Sequence, residues 1–139
     1  MENSLSTVML DINSSLPERK LKALIERTNL SADLKALLAD LTKLTVKVGG
    51  KILAVGRKII GFCLDLIKAF PTVTLGIIMA LVITSLIASI PILGLLAAPL
   101  SSLLLLLGVS AGALKDFTSD RLSDRIDALV VSFSALRQV

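Results

Sequence analysis

A stretch of 46 residues without one charged side chain lies between Lys68 and Lys115. A transmembrane helix needs about 20 apolar residues, so this stretch is long enough for two passes through a bilayer. A single helix of this length would measure roughly 70 Å, more than twice the thickness of the hydrocarbon layer. The stretch must therefore turn back on itself, and it predicts a pair of helices joined by a turn.

Two prolines mark the possible positions of that turn. Pro91 and Pro99 interrupt the segment "IPILGLLAAPLSS", and each disfavours helical geometry in the residue before it. A turn near Pro91 gives helices over about 72–90 and 92–114, whereas a turn between Gly94 and Pro99 lengthens the first helix and shortens the second. Both positions stay open, because membrane helices tolerate kinking prolines. Either position predicts an all-α fold class with a transmembrane helical hairpin over residues 71–114.

The composition favours a membrane over water as the surroundings of this hairpin. Apolar residues make up 54% of the chain, yet only four residues are aromatic and none is Trp or Tyr. In water, the remaining residues would have to cover two helices that are apolar on all sides. Permanent membrane residence is the favoured interpretation. The alternatives are a soluble form that inserts later, as the pore-forming domains of colicins do, and an ordinary soluble core.

The charges on either side of the hairpin predict its orientation. Positively charged residues flank it on both sides, and such residues stay cytoplasmic; they are Lys51, Arg57, Lys58, Lys68, Lys115, Arg121 and Arg125. The sequence therefore predicts an integral membrane protein with both termini in the cytoplasm.

The segment before the hairpin, residues 51–70, reads "KILAVGRKIIGFCLDLIKAF". A thin basic stripe on an otherwise apolar helix is typical of a helix that lies at the headgroups of anionic lipids. The candidate membrane-surface residues are Lys47, Lys51, Arg57, Lys58 and Lys68. The alternative is a helix packed in a bundle with its polar edge in water. Cys63, on the apolar side, is interpreted as a small buried hydrophobic residue in preference to a palmitoylation site.

Two further segments carry apolar residues at alternating spacings of three and four, the pattern of a helix seam. Residues 15–50 are predicted to form cytoplasmic amphipathic helices, and residues 115–139 a C-terminal one, whereas residues 1–14 are predicted to be a flexible tail. The seams need cover from each other, from a second copy or from a protein partner; their members are Leu34, Leu37, Leu41, Leu44 and Val48, and Leu122, Ile126, Leu129, Phe133 and Leu136.

Small residues recur every four positions within the hairpin. Such stripes let helix backbones approach closely inside a bilayer, so they predict close packing within the hairpin and contacts in a homo-oligomer. The candidate packing residues are Gly76, Ala80, Thr84, Ala88, Gly94, Ala98, Ser102, Gly108 and Gly112.

The residue types exclude several functional classes. Histidine is absent and there is one cysteine, so neither a His/Cys metal site nor a disulfide framework is expected. No phosphate-binding or catalytic motif occurs, and we expect no enzyme activity and no cofactor. Nucleic-acid binding is not expected either, because the cations are spread along amphipathic helices without aromatic residues to stack on bases.

Two functions remain. In the favoured one, the protein oligomerises in a membrane rich in anionic lipid and permeabilises or depolarises it, as holins, small toxins and membrane-acting defence effectors do. In the alternative, the hairpin is structural and shapes the bilayer or anchors a protein partner.

Overall fold

A computed structural model describes residues 5–138, with the side chains of residues 5–137. In chain order it contains α1 (Leu5–Asn13), α2 (Glu18–Glu26), α3 (Ala32–Leu41), β1 (Val46–Val48), β2 (Lys51–Leu53), α4 (Val55–Ala69), α5 (Leu75–Ser89), α6 (Ala97–Leu107) and α7 (Asp120–Ser132). Three 3₁₀ helices span Pro91–Leu96, Ala111–Phe117 and Ser134–Gln138. The chain is mostly helical, which confirms the all-α class.

Helix α5 lies at the centre of the bundle. Its first six residues, Leu75 to Ala80, are all buried, and Val82, Ile83 and Leu86 continue the buried surface. A helix that is apolar on every side has no face to turn toward water. Helices α4, α6 and α7 pack around α5 and cover most of its surface, while Thr84 and Ala88 remain exposed.

The chain turns after α5 at the first of the two prolines. Helix α5 ends at Ser89, Ile90 is extended, and Pro91 begins the 3₁₀ helix that leads into α6. Pro99 is the third residue of α6, where its missing N–H removes no hydrogen bond within the helix. The turn therefore occupies residues 90–96, and Pro99 does not break the second helix.

The lengths of the helices do not support the predicted transmembrane hairpin over residues 71–114. Within residues 5–138, no single helix is both long enough and apolar enough to cross a membrane. The segments Pro91–Leu107 and Ala111–Phe117 meet the requirement only when taken together, and they are bent by 69°. Helix α5 is apolar but has 15 residues, which gives it about 22 Å against a hydrocarbon layer of about 30 Å.

The N-terminal segment differs from the predicted flexible tail over 1–14. Residues Leu5–Asn13 form α1, and Val8 and Ile12 are buried. These two side chains are four residues apart and share one face of the helix, which packs on α4. Residues 1–4 lie outside the described part of the chain.

The predicted helical segments over 15–50 and 51–70 are interrupted by a β-hairpin. Strands β1 and β2 pair antiparallel, with Val48 opposite Lys51. Gly49 and Gly50 form the turn with φ angles of 57° and 80°, a conformation that glycine adopts without strain. The seam over 34–48 therefore ends as a helix at Leu41, and the basic helix begins at Val55, four residues later than expected.

Candidate functional site

The surface of α6 is divided between a covered face and an open one. Leu103 is fully buried, whereas Leu105 is 85% and Leu106 44% exposed. Ser101 and Ser102, one turn earlier, are also exposed. We call the four exposed residues, Ser101, Ser102, Leu105 and Leu106, the α6 surface. The α6 surface is uncharged and ends in leucines that have little cover in the bundle.

The candidate packing residues are divided between the interior and the surface. Gly76 and Ala80 are buried in α5, whereas the other members are exposed: Thr84, Ala88, Gly94, Ala98, Ser102, Gly108 and Gly112. A Cβ at Gly76 would lie 2.6 Å from Leu107 Cδ2, so this glycine does allow α5 and α6 to approach.

Gly108 has a different role from the one its spacing suggested. It terminates α6 with a φ of +70°, and a Cβ added there would have open space around it. Its conformation, and not helix contact, therefore explains why glycine suits this position. Gly112 and Gly94 also have open space at the Cβ position.

The candidate membrane-surface cations do not form one continuous stripe. Lys47 and Lys51 are exposed on the β-hairpin, beside Ile52, which is 62% exposed. Lys68 is exposed near the end of α4, with its Nζ 3.7 Å from Asp65 Oδ1. These three cations are open to water and to a lipid headgroup.

The other two cations hold the bundle together. The Nη1 of Arg57 donates to the backbone oxygens of Ser15 and Leu16 at 3.3 Å, and its Nη2 donates to that of Asn13 at 3.4 Å. Lys58 forms an ion pair of 3.0 Å with Asp11. Both side chains therefore attach α4 to α1 and to the turn that follows α1.

Helix α4 lies in the bundle with its apolar side against α5. This is the alternative arrangement considered for residues 51–70, a bundle helix with its polar edge in water. Ile59, Ile60, Leu64 and Leu66 are buried, and so is Cys63. Burial raises the pKa of the Cys63 thiol, because an apolar interior disfavours the thiolate. The thiol is consequently unreactive while the bundle is closed.

The two predicted seams are buried or partly buried, and other helices of the same chain cover them. Helix α3, with Leu34 and Leu41, packs on α2, α4 and α6. Leu37 of α3 and Leu44, in the turn after α3, are partly buried and border α6. Val48 is buried in β1. Helix α7 packs on α5, and all five members of its seam are buried: Leu122, Ile126, Leu129, Phe133 and Leu136.

A close backbone contact at Gly56 was not apparent from the sequence. The Gly56 N–H donates to the Leu44 oxygen at 2.9 Å, and a Cβ at this position would overlap the Leu41 carbonyl oxygen. This contact sets the distance between α4 and the end of α3. The glycine in "AVGRK" was the only sequence signal, and glycine alone does not identify a contact.

The chain matches no protein-family model, and no curated protein or solved structure matches it significantly. Among the described residues, no group of three or more His, Cys, Asp or Glu side chains is placed to hold a metal ion.

Proposed function

We propose that this chain is a membrane-acting protein whose apolar hairpin, α5 and α6 with their connection, enters an anionic bilayer, oligomerises and makes it permeable to ions. The observation that carries the proposal is the α6 surface. Leu105 is 85% exposed near the C-terminal end of α6, within a segment of 46 uncharged residues. Leu106 beside it is also exposed, and contiguous exposed apolar residues are typical of a membrane or protein contact.

The bundle supplies a route for insertion in this proposal. Helices α5 and α6 already pack on each other and are joined by the 3₁₀ helix Pro91–Leu96. The α6 surface meets the bilayer first, and α4 and α7 then separate from α5. Lipid tails are as apolar as the side chains that cover α5, so the exchange of neighbours costs α5 little.

In the inserted state the hairpin spans the bilayer and both termini remain on the cytoplasmic side. Extension of α5 from Thr72 to Ile90 gives 19 residues and about 28 Å, close to the hydrocarbon thickness. The cations on both flanks hold the termini back. Lys47 and Lys51 contact anionic headgroups, each contributing about 1 kcal/mol near the surface.

The inserted hairpins assemble through their exposed small residues. Thr84 and Ala88 on α5, and Ala98 and Ser102 on α6, are exposed in the bundle and allow helices from different copies to approach. The hairpin contains no ionisable group for acid–base chemistry, so we infer that the activity is not enzymatic and needs no cofactor.

Dye release from anionic vesicles tests this proposal. The Leu105→Asp variant places a charge at the more exposed of the two leucines of the α6 surface. We expect release to fall about tenfold or more, because a carboxylate opposes entry into the hydrocarbon. Val131→Asp is the matched control: Val131 is 60% exposed on α7 and carries the same change outside the hairpin. Release by this control should equal that of the wild type.

Two results would contradict the proposal. Wild-type protein that binds vesicles but leaves them sealed would favour the structural hairpin that shapes the bilayer or anchors a partner. Wild-type protein that does not bind vesicles at all would remove the membrane interpretation of the α6 surface.

A further inference from the structure

An open cavity of 580 Å³ lies where the C-terminal ends of α2 and α4 meet the N-terminal end of α5. Its walls are mainly apolar and include Leu24, Leu30, Leu64, Ile67 and Val73. Cavities of roughly 300–1,000 Å³ with apolar walls and a few polar groups are typical of small-molecule sites. Insertion of the hairpin makes no use of this cavity.

The polar groups at the cavity favour a negatively charged ligand. Arg27, Lys68 and Asp65 are the charged residues of its lining, which gives two cations against one carboxylate. Lys68 and Asp65 are 80% and 75% exposed, so their 3.7 Å contact is weak and leaves the ammonium group available. Arg27 forms no ion pair with any residue between 5 and 137. The first turn of α5, beginning after Thr74, adds a partial positive charge.

We propose that this cavity binds a free fatty acid, with the acyl chain between α2, α4 and α5 and the carboxylate at Arg27 and Lys68. An apolar wall that ends in cations matches a molecule with one long apolar chain and one anionic head. A carboxylate accepts charge-assisted hydrogen bonds from a guanidinium and an ammonium group. The site does not depend on the membrane proposal, because it is formed in the closed bundle.

A single tryptophan can report binding, since the chain has none of its own. Leu16 borders the cavity and is 45% exposed, so Leu16→Trp places an indole at its edge without disturbing the core. A fatty acid with bromine at the end of its chain quenches an indole that it touches. We expect saturable quenching without vesicles, reversed by unlabelled dodecanoate. Val131→Trp, on α7, is the matched control and should show no saturable quenching.

Filling the cavity with a larger side chain tests where the acyl chain of the fatty acid lies. Gly61 lines the cavity, and a Cβ built there meets only Leu21 Cδ2, at the ordinary distance of 3.9 Å. Leucine is also a better helix former than glycine, so Gly61→Leu should fold. In the Leu16→Trp background this substitution should weaken binding at least about tenfold, because the added side chain occupies the space of the ligand.

Reversing the charges tests the carboxylate contact. Arg27 and Lys68 are both exposed, so Arg27→Glu with Lys68→Glu should leave the bundle folded and weaken dodecanoate binding about tenfold. Lys43→Glu with Lys115→Glu changes the net charge equally on residues outside the cavity lining and should leave binding unchanged. Dodecanol, with the same chain and a neutral head, should bind more weakly than dodecanoate.

Three results would overturn the proposal: no saturable quenching of Leu16→Trp, equal quenching of both tryptophan variants, or an affinity that Gly61→Leu leaves unchanged in a folded Leu16→Trp protein. Circular dichroism of each variant establishes folding. Failure of these experiments would leave vesicle release untouched, and failure of vesicle release would leave this binding site untouched.

Discussion

At the scale of single residues, the two glycines of α4 have opposite requirements. Gly56 is buried against the turn that follows α3, where a Cβ would overlap the Leu41 carbonyl oxygen and lie 3.0 Å from the Leu44 nitrogen. Gly61 has space for a Cβ. Position 56 therefore excludes other residue types for a steric reason, whereas position 61 has room for a Cβ atom.

We predict that Gly56→Ala lowers the free energy of unfolding by about 3 kcal/mol or more, because backbone atoms of α3 and its following turn must move to admit the methyl group. Gly61→Ala should raise it by up to about 1 kcal/mol, because alanine is the better helix former. Urea unfolding followed by circular dichroism measures both. Equal stabilities for the two variants would show that α3 and α4 are not in this close contact.

At the scale of elements, the connection between α1 and α4 depends on side chains that bind backbone. Besides the three donations from Arg57, the Asn13 side chain donates to the Ile52 oxygen at 3.1 Å and accepts from the Ala54 N–H at 2.9 Å. These contacts fix α1 against β2 and the start of α4. Arg57 was predicted as a membrane-surface cation, but its three backbone contacts make it a structural residue.

Arg57→Lys keeps the charge and removes the forked geometry of the guanidinium, so it separates these two roles. We predict a loss of about 1–2 kcal/mol in the free energy of unfolding, because a lysine ammonium cannot reach the same set of carbonyl oxygens at once. Binding to anionic vesicles should be unchanged. Arg19→Lys, on the exposed side of α2, is the control and should alter neither quantity. Unchanged stability of Arg57→Lys would mean that the three contacts contribute nothing measurable.

At the scale of the whole molecule, the closed bundle and the proposed inserted state differ in the position of the turn between α5 and α6. Leu95 in this turn is 42% exposed in the bundle, and Arg137 near the C-terminus is also exposed. Insertion carries the turn across the bilayer and leaves the C-terminal segment behind. Insertion should therefore protect position 95 from a reagent in water and leave position 137 accessible.

With Cys63 replaced by alanine, we predict that Leu95→Cys and Arg137→Cys both react with a membrane-impermeant thiol reagent in water. After anionic vesicles are added, the cysteine at 95 should become protected and the one at 137 should stay reactive, because only the uncharged turn crosses the bilayer. Mass spectrometry quantifies the labelled fraction. Persistent labelling at 95 on vesicles would show that the hairpin has not inserted.

Three features could be predicted from the amino-acid sequence alone: the helical class, a turn in the uncharged stretch and the burial of the C-terminal seam. Each follows from local chemistry: apolar residues at spacings of three and four, and a proline that ends a helix. Such signals act within a few residues, so they can be read without knowing the neighbours.

The burial of individual apolar and cationic side chains could not be predicted, because it depends on how distant helices pack. Leu103 and Leu105 are alike in sequence, yet one packs fully inside the bundle and the other is 85% exposed. Arg57 and Lys47 were both predicted membrane-surface cations, yet one binds three backbone oxygens and the other is exposed. Arg57 lies 41 to 44 residues from the residues whose oxygens it contacts. The parts of α2 and α4 that line the cavity are similarly distant along the chain. Contacts over that distance depend on how the helices pack, which a pattern within one helix does not contain.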